Sequence, residues 1–240
     1  MARRITRKEL KKDEIRETLS HGAEAVASHQ RQIWFYGGVA LLVLAAVLGW
    51  RFYTQRQTVK ASAELSDGMK IYQARIRTAN EPAQPGEITY VDEKNKFGDA
   101  AAKFAQVGDR YPRTQPGRVA HYYAGLSLEQ VGRYDEAIKD LQSLQDTGDE
   151  TFAPLAQFQL AQIYDKTGKE SQAVQIYQQL SSKPSVFVPK PVVLLSLADH
   201  YSKSDPAQAA KLYQQIKSEF PDSQAAQTAD ERLQLLPAKG

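Results

Sequence analysis

The sequence predicts an all-α chain: one transmembrane helix near the N-terminus, then an α-solenoid of about three and a half helix pairs with a C-terminal capping helix. Three observations predict it. Ile33 to Trp50 is an eighteen-residue run without a charged side chain. Downstream, a helical pattern recurs with a period near 36 residues. Alternating apolar and polar residues, the mark of half-buried strands, are scarce throughout.

The 240 residues are 42% apolar and 25% charged, the balance of a chain that buries a core. Residues 1–32 hold eight Lys/Arg against five Asp/Glu, and the rest of the chain holds 23 of each. A body with no net charge lacks the basic surface that displaces counterions from nucleic acid, so that partner class is excluded. The absence of cysteine excludes disulfides, thiolate metal sites and cysteine nucleophiles.

Residues 1–32 read as a basic cytoplasmic tail. Thr6 and Glu9 have the spacing of a capping box, and Leu10, Ile15 and Leu19 form a loose apolar stripe. Its Lys and Arg side chains either meet acidic lipid headgroups or serve only as a topology signal.

Residues 33–53 read as the anchor. As a helix the uncharged run is about 27 Å long, close to the hydrocarbon thickness of roughly 30 Å. Trp34 and Tyr36 at one end, Trp50 and Tyr53 at the other, fit the interfacial belts where amphipathic rings settle. Thirty-two residues precede the run, and Ala61-Ser62-Ala63 lies too far beyond it for a cleaved signal, so the anchor is expected to stay uncleaved. The basic tail places the N-terminus in the cytoplasm and the large domain outside it, although Arg51, Arg56 and Lys60 flank the other end.

Residues 54–240 read as the repeat domain. Its first unit is irregular: a leading helix over 61–78, then an insertion at 81–96 marked by two prolines and a glycine. The stretches 125–144, 161–180 and 198–216 then align with one another. Small residues where paired helices touch recur at Ala100, Ala137, Ala173 and Ala209, spaced 37, 36 and 36. Pro112 and Pro221 each follow such an alanine by twelve residues and stop the second helix of a pair. Leu160, Tyr164, Tyr177 and Leu180 are the large residues between layers. This is a tetratricopeptide pattern, in which each unit is a helix pair that cannot bury its apolar face alone. In the Pro-rich connection 181–191, Val186-Phe187-Val188 is expected to tuck under the solenoid, an exposed contact being the other reading. Residues 222–236 read as the cap, with Ala226, Ala229, Leu233 and Leu236 at helical spacing.

No catalytic, metal-binding or cofactor-binding motif emerges. His21, His29, His121 and His200 have no metal-ligand spacing, and no phosphate-binding or nucleophile-elbow motif occurs. Asp135-Glu136 and Asp149-Glu150 read as acidic pairs on turns or exposed faces. The expected activity is binding of proteins or peptides, with no enzyme, cofactor or metal. In the tetratricopeptide register the leading helices present Tyr122, Leu126 and Glu129, then Phe158, Gln162 and Asp165, then Leu195, Asp199 and Ser202 to a concave groove. Apolar anchors with carboxylates and amides between them suit a peptide or helix of some basic character. The competing arrangement, with the aromatics packed under the next helix and a convex contact face, stays open.

The order of these parts resembles a known family. A short basic tail, an anchor ending Gly49-Trp50-Arg51-Phe52-Tyr53, then Ala61-Ser62-Ala63 leading to Tyr72-Gln73-Ala74 and the repeats, is similar to the bacterial ancillary subunit of the SecYEG translocon. The resemblance implies a single-pass inner-membrane protein whose periplasmic domain assists exported proteins together with the translocon and periplasmic chaperones. Phe220-Pro221-Asp222-Ser223 before an alanine-rich helix also resembles envelope-assembly repeat proteins. That likeness implies an alternative role as a self-associating organiser of cell division or outer-membrane assembly, with Gly37-Gly38 and Gly49 available for pairing of anchors.

Overall fold

The computed structural model describes residues 30–78, 80–82, 84–145 and 149–236. Among them are nine α-helices and one two-stranded β pair. The chain divides after Arg56. The basic tail expected over residues 1–32, with its capping box and stripe, lies outside the described residues up to residue 29.

Within the first unit, the residues from Gln30 to Arg56 are the start of helix α1 (Gln30–Tyr72). Leu, Val and Ala dominate this stretch and no proline interrupts it. Every side chain from Trp34 to Tyr53 is exposed, including Trp34, Tyr36, Trp50 and Tyr53. A helix this long and apolar can cross a membrane. The Arg56 guanidinium lies over the Phe52 ring, 4.3 Å from its centroid.

The second unit opens with the last four turns of α1. These residues bury Ala61 and set Gly68 against Phe104, so closely that a Cβ at Gly68 would lie 2.6 Å from the Phe104 ring. α1 ends at Tyr72, six residues short of the expected boundary. The chain instead forms β1 (Arg75–Ile76), which pairs in parallel with β2 (Thr89–Tyr90). Arg75 holds the connecting loop through Glu81 at 2.7 Å and Glu87 at 3.4 Å, and Arg77 donates to the Glu81 carbonyl at 2.7 Å. Tyr90 donates to Asp99 at 2.9 Å; burial and that carboxylate push its phenol up to about 12. The irregular segment therefore runs 73–92, against the expected 81–96. Its end is set by Asp92, whose carboxylate caps α2 (Glu93–Arg110) by accepting from the Asn95 N–H at 2.7 Å.

The regular units follow: α3 (Gln115–Gln130) with α4 (Tyr134–Gln145), α5 (Phe152–Lys166) with α6 (Glu170–Ser182), and α7 (Lys190–Ser204) with α8 (Pro206–Glu219). The cap is α9 (Gln224–Leu235). The first two turns between paired helices use Gly132 and Gly168, at φ 74° and 73°, where glycine has no Cβ to clash. The third, two residues shorter, uses Asp205, which caps α8 by accepting from the Gln208 N–H at 3.0 Å. Each helix packs on the next, and α3 also touches α5 as α7 touches α9. Ala100, Ala137, Ala173 and Ala209 are all fully buried at these contacts. The core forms two clusters, one around Phe104 and Val107, the other running from Leu128 to Ala229.

One expectation changes. Val188 is buried, but Val186 is 90% exposed and Phe187 53%, so the 181–191 connection tucks in only its last apolar residue. Asp149 lies on the turn before α5, half-buried. It accepts from the Thr151 and Phe152 N–H groups at 2.9 and 3.0 Å, and holds Arg118 of α3 at 2.6 Å. Burial pushes its carboxyl upward, but the two N–H groups and the guanidinium outweigh that and hold it below the usual range.

Two predictions follow from this packing. A Cβ at Gly117 would lie 1.9 Å from the Tyr111 carbonyl oxygen, whereas one at Gly98 meets nothing within 4 Å. Gly117→Ala should lower unfolding stability by about 2 kcal/mol or more, and Gly98→Ala should raise it by about 0.5–1 kcal/mol, as read by urea titration. Asp149 has a depressed folded pKa, so its contribution is full above about pH 4 and fades as pH falls through the folded value. Asp149→Asn should flatten the loss of urea stability between pH 5 and pH 2.

Candidate partner-binding face

The leading helices α3, α5 and α7 carry all nine side chains assigned to the groove, one register position per turn. The structure gives them different environments. Tyr122, Phe158 and Leu195 are half-buried and packed against the core. The Tyr122 ring lies 6.1 Å from that of Phe152 in the next unit, and Phe158 lies 6.1 Å edge-on to Tyr177. Both rings thus contact aromatic side chains of neighbouring helices. Leu126 is half-buried.

Glu129 and Asp165 occupy equivalent places, 36 residues apart, one residue before the ends of α3 and α5, whereas Asp199 lies about one turn earlier on α7, where Ser202 holds the equivalent place. Glu129 is buried, with only 5% of its side chain exposed. Lys166 of α5 donates to one of its oxygens at 2.6 Å and Gln159 to the other. Asp165 is half-buried: Tyr177 donates to one oxygen at 3.1 Å, and His200 of α7 meets the other at 2.6 Å. Asp199 accepts from Tyr213 at 2.5 Å and faces Arg232 of α9 at 3.5 Å, yet its side chain is 42% exposed. Burial first, then the adjacent aspartate, pushes the Tyr177 and Tyr213 phenols well above their ordinary range. Both phenols therefore stay protonated and donate.

Two open clefts lie between these leading helices. The larger, about 570 Å³, runs between α5 and α7 and is lined by Gln162, Asp165 and Asp199 with Lys166, Ser196 and Lys203. The smaller, about 320 Å³, runs between α7 and α9, where Asp199 and Ser202 meet Arg232. Four predicted groove residues therefore line open space, and Asp199 belongs to both clefts. Glu129 lies against packed neighbours. Lys166, Ser196 and Lys203 were not among the expected residues; they fall one position beside the chosen register. Among the described residues, no three His, Asp or Glu side chains converge in a way that would hold a metal ion.

Comparison with known families places this architecture. A tetratricopeptide repeat-like domain matches residues 31–189, more than half of the chain, and a tetratricopeptide repeat matches residues 193–223. The chain belongs to the tetratricopeptide repeat-like family, whose fold is typically a non-catalytic scaffold for protein–protein interaction. Among curated proteins, none matches the chain.

The carboxylates separate by substitution. Glu129→Ala removes a buried acceptor between α3 and α5 and should cost about 1–3 kcal/mol in urea unfolding. Asp199→Asn keeps an acceptor for Tyr213 in an exposed place and should stay within about 1 kcal/mol of the parent.

Proposed function

We propose that this protein is an inner-membrane scaffold whose repeat domain stands in the periplasm and binds exported polypeptides near the Sec translocon, together with chaperones. The observation that carries the reading is the pair of clefts meeting at Asp199, open and polar, on the leading helices of a family that recognises proteins and peptides. The helix Gln30–Tyr72, exposed along its whole apolar stretch, serves as the anchor, and the family match begins at residue 31, taking in that stretch as well as the repeats. In this reading Tyr122, Leu126, Phe158 and Leu195 shape the face from beneath. Gln162, Asp165, Asp199 and Ser202 meet the partner, and Glu129 fixes the spacing of two leading helices. A segment with basic side chains complements the exposed Asp199, and its attraction weakens with salt because the site is open to solvent.

A photo-crosslinking residue at Gln162, Ser196 or Lys203 should capture translocon subunits, periplasmic chaperones or secreted chains in cells, and Asp199→Asn should reduce the yield. Capture of cytoplasmic proteins alone would overturn the proposal. An export-dependent reporter should be active after Gly240 and silent at the N-terminus. Replacing the six basic residues from Arg3 to Lys12 with glutamine should create an inverted population.

A further inference from the structure

A third cleft lies away from the leading-helix face, in the trough between the trailing helices α4 and α6. It measures about 400 Å³ and is lined by six glutamines: Gln142 and Gln145 on α4, Gln157 on α5, and Gln172, Gln175 and Gln179 on α6. Tyr164 and Ile176 complete the lining. In a chain that is 25% charged, none of these residues carries a charge. Gln142 donates to the Tyr164 hydroxyl at 3.4 Å. The side chains of the other five glutamines have no hydrogen-bond partner among the described residues, so their donors and acceptors are turned to solvent.

We propose that this trough is a second binding site, which holds the backbone of an extended, uncharged polypeptide segment. A glutamine amide both donates and accepts, so one side chain can satisfy the C=O and N–H of a peptide group irrespective of the side chains beside it. The spacing agrees. Gln175 and Gln179 are one helical step of about 6 Å apart, and an extended chain presents like-oriented peptide groups about 6.7 Å apart. From Gln172 to Gln179 the trough spans about 10 Å, room for about three extended residues. A sugar, the other neutral ligand rich in donors and acceptors, needs an aromatic face to stack on. The Tyr164 ring does not offer one, being 7% exposed and covered by the Lys169 ammonium 5.5 Å from its centroid. Among the described residues that line the trough, none offers a charge to pair with a charged ligand.

The test uses the full chain in detergent micelles and a fluorescein-labelled peptide of alternating Ser and Thr, roughly ten residues long so that it overruns the trough. Anisotropy should show saturable binding. Gln175→Ala with Gln179→Ala, at exposed helical positions where alanine is well tolerated, should weaken binding about tenfold with unchanged circular dichroism. The same peptide N-methylated at alternate residues, which removes backbone donors, should lose affinity to a similar degree. Asp199→Asn should leave binding intact, separating this site from the leading-helix clefts. The proposal is overturned if the parent peptide does not bind, if N-methylation or the double substitution has no effect, or if Asp199→Asn abolishes binding. Saturable binding of maltoheptaose in place of the peptide would also overturn it.

Discussion

Neighbouring helix axes can approach closely only where one of the facing residues carries no more than a hydrogen or a methyl group, and the repeat domain is organised around that requirement. Ala100, Ala137, Ala173 and Ala209 meet it once per unit, each with no exposed surface. Gly68 meets it against Phe104, Gly108 against His121, and Gly125 against Leu141. In each glycine case the large partner fills the space that a Cβ would need, so tight packing and small residues imply each other. Once the axes are that near, Tyr177 and Tyr213 are carried into the core with their hydroxyls still within reach of the preceding leading helix.

That reach explains why carboxylates recur where they do. A phenol brought into an apolar layer needs an acceptor, and Asp165 and Asp199 supply it from the end of the preceding helix. Glu129 stands in the place of Asp165 one unit earlier, where Leu141 is the equivalent large residue and brings no hydroxyl. Its acceptors are met by Gln159 and Lys166 of the next leading helix instead. The leading-helix carboxylates thus range from a sealed ion pair at Glu129 to an open corner at Asp199, one turn earlier in its own helix, with side-chain exposures of 5% and 42%.

The period, the packing alanines and the capping helix were legible in the sequence because each depends on neighbours three or four residues away, or on the identical step one unit later. The helix register was legible too, and it brought Gln162, Asp165, Asp199 and Ser202 to open clefts. It could not show that Glu129 would be enclosed, since its partners lie 30 and 37 residues onward on another helix. The β pair was not legible: two residues per strand leave no alternation to read, and Arg75 and Arg77 look like ordinary surface charge until Glu81, Glu87 and Thr89 come round. The cap at Asp92 carried a local signal, an aspartate three residues before a partner N–H, that the flanking prolines obscured. The six glutamines are drawn together from three helices, and a neutral amide has no distinctive signature along a chain.

Gly132 and Gly168 turn two of the helix pairs through a left-handed backbone residue, whereas the third pair turns on Asp205 and Pro206. Among the described residues the principal helix contacts join adjacent or next-adjacent elements, so the stack is held by its successive interfaces. Under a stretching force applied at the C-terminus, such a chain has no single rupture point. It yields as a zipper does, α9 first and then α8 with α7, each step limited by the grip of one interface. A load that strips the last units therefore leaves the Phe104 cluster beside α1 still folded, and the released length can wind back when the tension falls.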